Sequence, residues 1–142
     1  MGTNTRPEIS QKNRWWISKH RYYELRHFCL QYPEWKQQIA DIDGIPPVSP
    51  EKQERINKGE VTDLTPFYAQ ARAFLNHRIE LVDMAAYEAC EHQFWYAILI
   101  RGVTEGLSYD ILEAQLGIMP MSRDAWYEVY RKFFWMLDKT RE

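Results

Sequence analysis

The sequence predicts an all-α protein: a helical bundle with one long central helix and a C-terminal helix-turn-helix. Three observations carry that expectation. Apolar residues recur at three- and four-residue steps along most of the chain, the spacing of a single helix face. No proline or glycine falls between Phe67 and Arg101, so a helix of many turns meets no breaker there. No alternating strand pattern stands out, apart from the run FWYAILI (94–100), which is apolar on every side and ambiguous by periodicity.

The 142 residues fit one domain with a sizeable core. Hydrophobic residues make up 45% and charged residues 27%, a globular composition. Aromatic residues reach 15%, an excess that must enter a dense core, an adhesive surface, or both.

Taken in order, residues 1–12 are polar and read as a flexible N-terminal arm. Residues 13–42 form a basic, aromatic helical segment in which Trp15, Ser18, Tyr22, Leu25, Cys29 and Tyr32 share a face, with Pro33 interrupting the helix. Residues 43–64 are a proline- and glycine-rich connection. Within it Ser49-Pro50-Glu51 starts a short polar helix to Asn57, and Gly59 ends that helix. Residues 65–142 hold the long helix, or two helices with a bend near Glu91, followed by the helix-turn-helix. The bend is preferred, because FWYAILI is apolar all round and belongs at the centre of the core.

In the tail, Gly106 ends one element and Ser108 caps the next. Leu107, Ile111, Leu112 and Leu116 supply its buried face, Gly117 allows a left-handed turn, and Ile118 plugs the space between the two helices. Ser122 is a second cap, and Trp126, Val129, Tyr130, Phe133, Phe134 and Leu137 form the apolar side of the last helix. The residues expected to hold the pair together are Leu112, Leu116, Gly117, Ile118, Trp126, Tyr130 and Phe133.

Gly106-Leu107-Ser108-Tyr109, Leu116-Gly117-Ile118 and the stretch from Ser122 to Phe134 resemble the region-four helix-turn-helix of bacterial sigma factors. The similarity is closest to its relatives in phage late-transcription regulators of the RinA/ArpU type. The chain departs from that pattern at Glu113, where the family favours alanine, and in a turn lengthened by Met119-Pro120-Met121. The resemblance implies a phage- or prophage-encoded transcriptional regulator that binds double-stranded DNA in the cytoplasm of a bacterial host. The last helix would then present Arg123, Tyr127, Arg131 and Lys132, with Arg14, Lys19, Arg21 and Arg26 adding backbone contacts. Self-association is expected for a symmetric target, with the aromatic surplus as its interface.

Charge sets the competing reading. Net charge is −2, and from Tyr109 to Glu142 five cations face six anions, a poor start for a polyanion ligand. Arg123 and Arg131 can equally pair with local acids on a solvated face. Up to Lys36, seven cations face three anions, interleaved with Trp15, Trp16, Tyr22, Tyr23 and Phe28. That stretch reads either as a phosphate-tracking surface or as a helix with an aromatic core side and a wet basic side. The alternative function is a small phage protein that binds and inhibits a host protein, an anti-CRISPR-like inhibitor, since tryptophan and tyrosine are favoured interface anchors.

Chemistry finds little support. No glycine-rich phosphate loop or serine elbow is present, so an enzyme is not expected. His20, Glu24 and His27 share helical spacing but lack a second Glu-x-x-His, so no metal and no cofactor is expected. Cys29 and Cys90 show no Cys-x-x-Cys spacing and read as free buried thiols of a reducing cytoplasm. The N-terminal residues contain no apolar signal region, and FWYAILI is too short to cross a bilayer, so no membrane partner is expected.

Overall fold

The computed structural model describes residues 12–90 and 92–141. Among them are seven helices and no strand: α1 (Lys19–Leu30), α2 (Tyr32–Asp43), α3 (Pro50–Asn57), α4 (Thr65–Ala89), α5 (Gln93–Glu105), α6 (Tyr109–Leu116) and α7 (Arg123–Arg141). Nearly all of the expected N-terminal arm, 1–12, lies outside the described residues. No helix is long and apolar enough to cross a membrane, among the described residues.

Local chemistry sets most boundaries. Ser18 accepts a hydrogen bond from the Arg21 backbone N–H and starts α1, later than the periodicity from Asn13 implies. The preceding residues instead form a turn in which the Asn13 side chain accepts from the Trp15 N–H. Pro33 sits in the first turn of α2, where its missing N–H leaves no intrahelical bond unmade. Ser49 caps α3 through the Lys52 N–H, and Gly59, at φ 78°, follows its end. The long helix α4 stops at Cys90, whose backbone is extended, and His92 is extended again before α5. The bend therefore falls where it was expected, with no breaker residue to mark it; Glu91 itself lies outside the described residues.

The bundle is organised around the pairing of α4 with α7, with α2 and α5 also against α4, and α1 against both α5 and α7. On α4 the inward positions are Leu75, Ile79, Val82, Ala85, Ala86 and Ala89. Three alanines near its C-terminal end let bulky side chains approach. Those side chains come largely from α7, where Trp126, Phe133, Phe134 and Leu137 are fully buried. Leu25 and Cys29 of α1, Leu99 of α5 and Leu112 of α6 close the same core. Tyr22 meets Phe134 edge to face at 5.2 Å, and Phe134 meets Phe133 at 4.9 Å. The short α3 buries nothing and stands outside this core.

FWYAILI is less central than its composition implies. Leu99 is fully buried, but Phe94 is 70% exposed and the intervening aromatics are half-buried. The break at Cys90 places the first turn of α5 at the edge of the bundle, so only its later residues reach the core. Both cysteines are free. Burial pushes the Cys29 thiol well up and the Cys90 thiol up to about 11.

Gly102 carries a close approach between α5 and α7. A Cβ there would stand 2.7 Å from the Trp126 indole and 3.3 Å from the Leu112 side chain. Gly102→Ala is expected to destabilise the fold by about 1–3 kcal/mol through overpacking, read as a lower midpoint in urea denaturation.

Candidate interaction surfaces

The expected helix-turn-helix is present as α6 and α7, but its turn is built differently. Gly117 does adopt a positive φ, 85°, and Ser122 caps α7 through the Ala125 N–H. Leu112, Trp126, Tyr130 and Phe133 lie in the core as expected. Leu116 and Ile118 do not: they are 41% and 79% exposed, and Ile111 is 44% exposed. The longer turn explains the correction. Met119 and Met121 are buried where Ile118 is not, and the Tyr109 hydroxyl donates to the Met121 carbonyl at 2.9 Å. With those thioether chains inside, Ile118 is carried outward at the tip.

The side chains expected to meet DNA are distributed unevenly. Tyr127 is 5% exposed, so its phenol is packed inside rather than offered to a groove. Burial raises its pKa above the ordinary value, opposed chiefly by a hydrogen bond from the Tyr109 backbone. Arg123 ion-pairs with Asp110 and lies over the Tyr109 ring. Arg131 is largely covered and faces Glu128 at 3.8 Å. Arg21 is held between Asp138, 2.6 Å away, and Glu24, 2.7 Å away. Arg26 is half-buried and Lys19 exposed.

On α7 the exposed residues are Arg123, Asp124, Glu128, Lys139 and Thr140. A helix that reads a major groove must offer three or four side chains to base edges along one free face. Here the first half of α7 offers a paired arginine and two acids.

Two other features emerge. The first is a ladder of cations and indoles where the chain before α1 crosses α7. Arg14 and Lys132 both lie over the Trp15 ring, at 4.4 and 5.4 Å. Trp15 meets Trp135 edge to face at 5.0 Å, and Lys139 lies over Trp135 at 4.1 Å. The Trp15 indole N–H donates to Glu128 at 2.7 Å, which fixes the ring. Lys132, Trp135 and Lys139, at three- and four-residue steps, share one side of α7. Their spacing was visible in the sequence, but Trp135 and Lys139 stood outside the expected contact set.

The second feature is a set of exposed apolar residues along α4 and at the start of α5. Phe67 and Phe74, seven residues apart, are 63% and 57% exposed, and the Arg78 guanidinium covers Phe74 at 4.3 Å. Met84, Tyr87 and Phe94 are 59%, 66% and 70% exposed. Helix periodicity alone gives these residues no role.

If the methionines rather than Ile118 fill the turn, Ile118→Ser leaves stability within about 0.5 kcal/mol of wild type. Met121→Ala costs about 2–5 kcal/mol. Chemical denaturation of the two variants reads the difference directly, and an equal loss in both would contradict this turn geometry. Comparison with protein-family models, with curated proteins and with solved structures gives no significant match for this chain.

Proposed function

We propose that this chain acts by binding rather than by chemistry, and that its partner is another protein held by the exposed apolar residues of α4 and the start of α5. The observation that carries this reading is the exposure of Phe67, Phe74, Met84, Tyr87 and Phe94, each more than half open to solvent. Fully covering an exposed phenylalanine or methionine side chain contributes roughly 1.5–3 kcal/mol. Aromatic residues and methionine are also the side chains enriched in protein interfaces. The inhibitor reading of the sequence falls within this proposal, as does pairing with a second copy of the chain.

A DNA-binding transcription regulator is the second reading, favoured by the cation–indole ladder. Arg14, Lys132 and Lys139 make no ion pair among the described residues. Such a strip contacts phosphates along a backbone rather than bases inside a groove.

One set of measurements separates the two. Phe74→Ser, Tyr87→Ser and Phe94→Ser combined are expected to leave the fold intact while abolishing capture of a protein partner, or self-association measured by sedimentation. Wild-type chain that sediments as a monomer and retains no protein at physiological salt would end the first reading. Duplex binding that weakens about tenfold or more between low and physiological salt, and vanishes in Arg14→Gln with Lys132→Gln and Lys139→Gln, would establish the second.

A further inference from the structure

We propose that the cavity between α1, α5 and the α6–α7 pair binds a small planar anion: an aromatic ring carrying a carboxylate or a phosphate. The cavity holds about 310 Å³, and small-molecule sites in proteins span about 300–1,000 Å³. Its walls include the rings of Tyr22, Tyr23, Tyr127 and Tyr130 beside Val103 and Leu107, and no carboxylate among the described residues lines it. Tyr22 and Tyr23 have centroids 5.2 Å apart, and Tyr127 and Tyr130 5.8 Å apart. These rings offer apolar faces and electropositive edges to a flat guest.

Arg26 decides the charge of that guest. Its side chain is half-buried and lines the cavity, yet it makes no hydrogen bond or ion pair with any described residue. Arg21, Arg72 and Arg123 each rest on a carboxylate instead. A guanidinium carries five N–H donors in a planar fork, and partial burial without an acceptor is unfavourable for it. A carboxylate or phosphate relieves that condition with two parallel hydrogen bonds.

The surroundings keep the fork accessible. Gly106 turns the chain at φ 69° and contributes no side chain, where a Cβ would lie 3.6 Å from the Arg26 guanidinium. Ser108 accepts from the Ile111 N–H at 3.3 Å, so its own hydroxyl proton is available to a ligand. The Tyr22 and Tyr130 hydroxyls, 2.6 Å apart, add polar atoms to an otherwise aromatic wall. Asp110, the acid nearest in sequence, is turned to Arg123 and does not line the cavity. Cations find no counter-charge here, and an uncharged aromatic would leave the guanidinium unpaired.

The test is calorimetric titration of the full chain with phenyl phosphate, benzoate and inorganic phosphate as separate probes. At least one of the two aromatic anions is expected to bind, and more tightly than inorganic phosphate. Arg26→Gln should weaken that binding at least about tenfold, the loss expected for a charge-assisted hydrogen-bonded pair. Arg14→Gln, on the cation–indole ladder, should leave it unchanged. Amide shift changes at Ser108 and Tyr127 in the wild-type chain locate the site independently, should Arg26→Gln fail to fold. The proposal is overturned if neither aromatic anion binds at millimolar concentration. It is equally overturned if inorganic phosphate binds as tightly as they do, if Arg26→Gln binds equally well, or if the shifts fall elsewhere.

Discussion

The structure depends on covering α7. Six of its side chains, Trp126, Tyr127, Tyr130, Phe133, Phe134 and Leu137, are buried, and five of the six are aromatic. No single neighbouring helix can cover so wide an apolar surface. The alanines of α4 let one side of α7 approach closely, Gly102 of α5 admits the Trp126 indole, and α1 supplies Tyr22 and Phe28. Each of these small or flat partners answers a bulky residue on α7, as close packing at organic-crystal density requires. The Trp126 indole N–H is buried without an acceptor among the described residues, a sign that shape rather than hydrogen bonding governs this junction.

That coverage also decides what the surface has left to offer. Polar groups drawn towards α7 are used in holding it: Asp138 on Arg21, Glu128 on Trp15 and Asp110 on Arg123. Among the cations that make no ion pair with a described residue, Arg14, Lys132 and Lys139 stack on indoles, and their charge remains available to solvent while their stems pack. The aromatic excess divides in the same way. Part of it fills the core around α7, part stacks with cations beside α7, and Phe67, Phe74 and Tyr87 of α4 with Phe94 of α5 stand more than half exposed.

Much of the architecture was legible because its signals are local. Ser49 with Pro50, Gly59, Gly106, Ser108, Gly117 and Ser122 each act through hydrogen bonds or dihedral angles within a few residues, and each sits at the boundary its chemistry implies. On α7, Trp126, Tyr130, Phe133, Phe134 and Leu137 follow from period alone. Less was legible at the candidate site, since exposure is a tertiary property. Ile118 follows Gly117 in the pattern of a buried plug, but the added Met119 and Met121 are buried where it is not. Tyr127 lies four residues from Arg123 and Arg131, so period groups all three; packing across α1 and α6 buries the tyrosine and leaves one arginine open. Phe94 and Leu99 belong to one apolar run, yet the break at Cys90 sends them to different environments.

A helix-turn-helix becomes a reader only when its second helix has a face to spare. In this chain α7 is contacted by α1 and α4, and Trp15 lies against its outer side through Trp135 and Glu128. Its exposed residues occur in two short groups at opposite ends, acidic at the first and basic at the second. Turning α7 to present Arg131 and Tyr127 together would expose Tyr130 and Phe134 at the same time, because residues three and four apart share a face. Re-exposing two such rings costs about 1.5–3 kcal/mol each, more than a surface phosphate contact returns. The motif is therefore fixed as part of the core, with the face that holds Tyr127 and Tyr130 committed to packing.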